Sequence, residues 1–241
     1  MEVVRHWVRL VLMMASASFL GCALLGPTTA TSFLNQIEKS QDPNERHKAY
    51  QSLASPRCYD NEDQKAKAVK ALMKGLEPGK EPLASRAVIC RTLGSLGNPV
   101  AREPIIRLVR DPDPLIRAEA CRSLGKIGRP EDATVLMQAM TLDTNPDCQV
   151  AAIEALGTLK ASDPRTPGYL VQAMENDDPA IRLAAYESLR KVTGKDLGVK
   201  TEPWRTLIVA SENKAAGRPQ PAEKDAAAAP ASTSGRPRSQ P

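Results

Sequence analysis

The stretch Asp111 to Gly128, DPDPLIRAEACRSLGKIG, decides the fold. It opens on Asp-Pro, a helix cap followed by a residue suited to the first helical turn. Ile116, Ala120, Leu124 and Ile127 then recur at helical spacing. Leu124 follows Arg117 by seven residues, and Gly125 comes next. The same pattern returns along the chain. Aligned on Arg46, Arg86, Arg117, Gln149 and Arg182, every copy has a leucine seven residues later: Leu53, Leu93, Leu124, Leu156 and Leu189. The last four landmarks are 31, 32 and 33 residues apart, and the first interval is 40, which predicts a longer loop near Cys58–Asp63. A fixed period of this length marks a repeat architecture, in which stacked units share a core.

Each repeat is predicted to be a helix pair. The first members fall at Phe33–Lys39, Gln64–Leu76, Pro104–Val109, Ala133–Met140 and Pro167–Met174. In the second members, Gly94, Gly125 and Gly157 follow the repeated leucine and are expected to help end the helix. Alanine and leucine carry the apolar content, and aromatics are only 3%.

The D-P-x-x-x-R-x-x-A-x-x-x-L-G motif, clearest at Asp113–Gly125 and Asp178–Leu189, resembles HEAT repeats of the short bacterial type also found in phycobilisome lyases. The resemblance implies an all-α fold, a right-handed α-α superhelix or HEAT/armadillo-like solenoid of about five helix pairs. It implies no single function, since such arrays serve many ends. Gln149 departs from the motif arginine, and the first unit is the most divergent.

The expected organisation is a signal segment over 1–22, a linker over 23–30, the repeat array over 31–197, a capping segment over 198–211 and a disordered Ala/Pro-rich tail over 212–241. Arg5, His6 and Arg9 precede the uncharged run Val11–Leu20, and Gly21-Cys22 closes it. That order is a secretory signal. Phe19-Leu20-Gly21-Cys22 resembles a bacterial lipoprotein signal, although Phe19 and Leu20 depart from its usual residues. The resemblance implies acylation of Cys22, export, and attachment to a membrane of the cell envelope. Cleavage after Thr28-Thr29-Ala30, or retention of the segment as an anchor, is the alternative. Near the other end, Trp204, Leu207, Ile208 and Val209 are expected to cap the last unit, Trp204 being otherwise an interface anchor.

The landmark residues Arg46, Arg86, Arg117, Gln149 and Arg182 read first as a structural ladder to Asp side chains or carbonyls of the adjoining unit. Cys90 and Cys121 share one register position, filled by Ile153 and Tyr186 in the next units, so they read as core thiols and not as a disulfide. Of the two histidines, His6 falls in the signal, and His47 is expected at the solvated surface. The sequence has no metal-ligand or nucleophile motif, and none of the His-Glu pairs of HEAT-type di-iron hydroxylases, so no enzyme, cofactor or metal is expected.

The formal charge is +5, but 1–22 and 212–241 carry three of those charges, leaving +2 in the middle. A nucleic-acid partner would want a concentrated basic stripe. The expected function is therefore a membrane-anchored, non-catalytic scaffold that binds an envelope protein. Arg91, Arg122, Glu154 and Glu187, each five residues after a landmark, form the expected binding row. Both arginines are expected to be dispensable for folding, as exposed charges usually are. A chromophore-lyase-like accessory protein is the alternative, with a nucleic-acid-binding HEAT protein behind it.

Overall fold

A computed structural model describes residues 28–215 apart from Ser162. The signal segment with Cys22, and the tail from 216 onward, lie outside the described residues. Eleven α-helices follow one another and no strand is present among the described residues. They are α1 (Ala30–Lys39), α2 (Pro43–Ser52), α3 (Glu62–Gly75), α4 (Leu83–Leu96), α5 (Arg102–Leu108), α6 (Pro114–Ile127), α7 (Ala133–Leu142), α8 (Pro146–Leu159), α9 (Thr166–Ala173), α10 (Pro179–Thr193) and α11 (Thr201–Ala215). The first ten form five antiparallel pairs, an α-α superhelix. The long first interval arises from α3 as well as from its loop, since α3 has 14 residues where α5 has 7.

The second helices begin where the Asx-Pro signals stand. Asp42, Asp113, Asn145 and Asp178 each accept a hydrogen bond from a backbone N–H of the first turn, and proline fills an early helical position. The five repeated leucines are fully buried. They face the first helix of their own pair, together with Ile89, Ala120, Ala152 and Ala185.

Gly94, Gly125 and Gly157 do not end their helices. Each lies inside one, two or more residues before its C-terminus. A Cβ on them would meet the backbone of Ser123, Ala155 or Ser188 at 2.8–2.9 Å. The glycines therefore let successive second helices approach closely along their length, whereas successive first helices touch little. Closer packing in the layer of α4, α6, α8 and α10 than in the layer of first helices makes the former the inner side of the superhelix. Ser123 Oγ donates to the Cys90 carbonyl (2.8 Å) and Thr92 Oγ1 to that of Tyr50 (3.1 Å), adding buried polar links between the same helices.

At the far end Trp204 is fully buried and its Nε1 donates to the Gly198 carbonyl at 2.7 Å. Leu207 and Ile208 pack on the core, while Val209 is 52% exposed and does not join them. Helix α11 lies against α9 and continues through Glu212 to Ala215, beyond the point where composition places the start of the tail. No helix among the described residues is long and apolar enough to cross a membrane.

Candidate protein-binding interface

Two sets of charged side chains follow the repeat, one between units and one on the inner face. The first belongs to the landmark residues. The Arg46 guanidinium donates through Nε and Nη2 to both Glu81 oxygens (2.8 and 3.1 Å), and Arg117 does the same to Asp143 (2.7 and 2.8 Å). Arg86 reaches Asp111 through Nη2 alone (2.7 Å). Each acid stands in the turn ahead of the next unit's second helix. A further nitrogen binds the arginine's own turn: Arg117 Nη1 donates to the Asp111 and Pro112 carbonyls, and Gln149 Nε2 to that of Asp143. Among the described residues Arg182 bonds the carbonyls of Asn176 and Asp177 and no acid. These ion pairs are largely shielded, with the carboxylates 6–7% exposed. The hydrogen bond from Arg117 holds the Asp143 carboxyl below its ordinary range, against the opposing effect of burial.

The second set lies on the inner face. A residue five after the landmark points about 200° away from those three and seven after it, which face the first helix. Arg91, Arg122, Glu154 and Glu187 accordingly line the inner side. The structure adds a residue to this row that the repeat pattern does not reveal. Glu119 is 3% exposed, at a position where units two, four and five have Val88, Ala151 and Ala184 and unit one has the exposed Lys48. It accepts from Arg91 Nη2 (2.7 Å) and Nε (3.2 Å) and from Arg122 Nη1 (3.3 Å). Arg122 Nε also stands 4.0 Å from Glu154. Both arginines thus neutralise a buried carboxylate, which argues against their expected dispensability for folding. Glu154 and Glu187 remain the exposed acids at the C-terminal end of the row.

Spacing alone hides this because Glu119 pairs across units, 28 residues from Arg91. The signal available was an acid at a register position that is apolar in units two, four and five, three residues before Arg122. A further pair escaped for the same reason: Arg102, at the start of α5, grips the 3%-exposed Asp132, in the turn ahead of α7. His47 is half-buried, with Nδ1 3.3 Å from Ser85 Oγ, and is not a freely solvated side chain.

The four described cysteines are free thiols and buried. Burial pushes Cys90 and Cys121 up to about 12 and Cys148 up to about 11, with nearby carboxylates adding to it. No group of His, Cys, Asp and Glu among the described residues is arranged to hold a metal ion.

Comparison with curated proteins gave no match. Among solved structures, the chain is similar to the complex of CpcE and CpcF of phycocyanin lyase from Nostoc sp. PCC7120, with a TM-score of 0.57 and 23% identity. That match covers 69% of this chain and 66% of the other, just under two thirds of it. The likeness is one of fold. The family model for HEAT repeats matches residues 69–157 and 135–199, more than half of the chain, and the protein belongs to the HEAT-repeat family.

Proposed function

We propose that the protein is a non-catalytic scaffold, exported and held to a membrane of the cell envelope through an acylated Cys22, that binds a polar segment of another envelope protein along its inner face. The observation that carries the binding reading is the row Arg91, Arg122, Glu154 and Glu187, repeated at one register position on adjacent helices. The row is mixed in sign, which suits a polar peptide better than a phosphate backbone. Because Arg91 and Arg122 are committed to Glu119, the exposed Glu187 and Glu154, the latter only loosely approached by Arg122, are the part left to select a partner, and a basic segment suits them.

The test reverses those two. Glu154→Lys with Glu187→Lys is expected to leave the thermal unfolding midpoint within a few degrees and to weaken capture of the partner from solubilised envelope. Unchanged capture, with loss on deleting residues 216–241, places binding in the tail and rejects the inner-face reading. For the anchor, metabolic labelling with a palmitate analogue is expected to mark the wild type and not Cys22→Ser. Retention of label and membrane location by Cys22→Ser rejects acylation there. The alternative, a lyase-like accessory protein, is supported by the fold likeness, and bilin binding by the purified chain is the measurement that would favour it.

A further inference from the structure

At three junctions between units, a landmark arginine meets a carboxylate of the unit that follows. Helix α10 has no following unit among the described residues, yet Arg182 keeps the local half of the arrangement. Its Nη1 donates to the carbonyls of Asn176 (2.9 Å) and Asp177 (2.7 Å), as Arg117 Nη1 does to its own turn. This orients the guanidinium. The Nε and Nη2 atoms, which in Arg46 and Arg117 take both oxygens of an acid, have no partner in Arg182 among the described residues. Leu183 beside it is 57% exposed, whereas Ala87 and Ala118 in the same register are each 4% exposed beneath the next unit. Farther along α10 the edge is closed: Asp196 accepts from Tyr186 Oη (2.7 Å) and pairs with Arg190 (3.1 Å). Arg190 also occupies the position held by glycine in three other units, so another full-length helix has no close approach there.

We propose that the first two turns of α10 are a docking edge for a protein partner that carries an Asp or Glu in the turn ahead of a helix. The carboxylate is gripped bidentately by Nε and Nη2 of Arg182, and an apolar side chain of the partner covers Leu183. The chain's own junctions define this chemistry. Between units four and five Gln149 stands for the arginine and Asn176 takes the register of Asp111 and Asp143, while Asp177, in the register of Glu81, is exposed and forms no ion pair among the described residues. A second copy of this chain fits poorly: its first unit has Ser40 and Gln41 at the acid positions, its Glu81, Asp111 and Asp143 are already bonded and shielded, and its exposed Asp177 belongs to the same end unit as Arg182.

The probe is a synthetic peptide of residues 141–159, which carries Asp143 and the Pro146-started helix, titrated into the full chain. Binding is read by fluorescence anisotropy and by the arginine Nε–Hε resonances. Saturable binding that shifts the Arg182 resonance is expected, about tenfold weaker for the Asp143→Asn peptide and for Arg182→Gln protein. The protein variant retains its fold because Gln149 makes the same kind of carbonyl bond in unit four, Nε2 to Asp143 O at 2.7 Å. Leu183→Asp is expected to abolish binding with an unchanged circular dichroism spectrum. Absence of saturable binding at millimolar peptide, equal binding after either charge-removing change, or shifts confined to the inner row overturns the proposal. Arg182-dependent dimerisation in sedimentation velocity also overturns it, by making a second copy the occupant.

Discussion

Gly125 lies beneath Ala155: a Cβ built on Gly125 would stand 2.8 Å from the Ala155 Cα and 3.0 Å from its Cβ. Backbone, and not the tip of a flexible side chain, blocks that space. Gly125→Ala should therefore push α6 and α8 apart, although alanine is the better helix former by about 1 kcal/mol. Overpacking of this kind costs about 1–3 kcal/mol. The expected outcome is a lower thermal midpoint, by about 2–4 °C for each kcal/mol lost in a chain of this size. A rise in the midpoint would show that the helices separate without cost.

The inner-face network predicts an asymmetry. Glu119 is buried, while Arg91 and Arg122 are 58% and 40% exposed and can turn to water. Glu119→Val installs the residue type found at Val88 and is expected to change stability by about 1 kcal/mol or less. Arg91→Ala with Arg122→Ala strands the carboxylate, which costs about 3–5 kcal/mol. Chemical denaturation of the two variants checks this, and equal losses would contradict the burial argument.

The repeat frame was legible because its signals are local: Asx-Pro caps, the seven-residue Arg-to-Leu spacing and apolar positions at helical period. The glycines were misassigned to helix ends because their reason is a neighbour some 30 residues away, which no local pattern contains. Glu119 and Asp132 were missed on the same ground, each being paired across a unit boundary. The row Arg91, Arg122, Glu154 and Glu187 was placed on one face by register, but register does not show that a buried acid neutralises half of it.

Acid should weaken the junction between units three and four. The Asp143 carboxyl is held below its ordinary range by Arg117, so the folded state binds its proton more weakly than the unfolded state does. Its contribution is complete above the unfolded value of about 4 and is lost as pH falls through the lower folded value. Asp143→Asn lacks this dependence. Between pH 5 and pH 2 the wild type is expected to lose more stability than the variant, and parallel curves would rule out the contribution.

The thiols make the last prediction. Cys90, Cys121 and Cys148 are at most 1% exposed, and burial raises each well above an ordinary thiol. Reaction requires thiolate and access, and the native fold withholds both. At pH 8 a thiol at about 12 is roughly one part in ten thousand ionised, against about a quarter for a free one. Cys58 differs: it is 5% exposed, at the end of the short turn Pro56–Cys58, with Sγ donating to the Ser55 carbonyl at 3.0 Å. Burial raises it as well, but a surface turn opens more readily than the middle of a stack. Native labelling with an alkylating reagent, followed by peptide mass spectrometry, should modify Cys58 first and Cys90 and Cys121 only at the rate of global unfolding. All four should react after denaturation without reductant. Prompt native labelling of Cys90, or disulfides in the purified protein, would refute the core assignment.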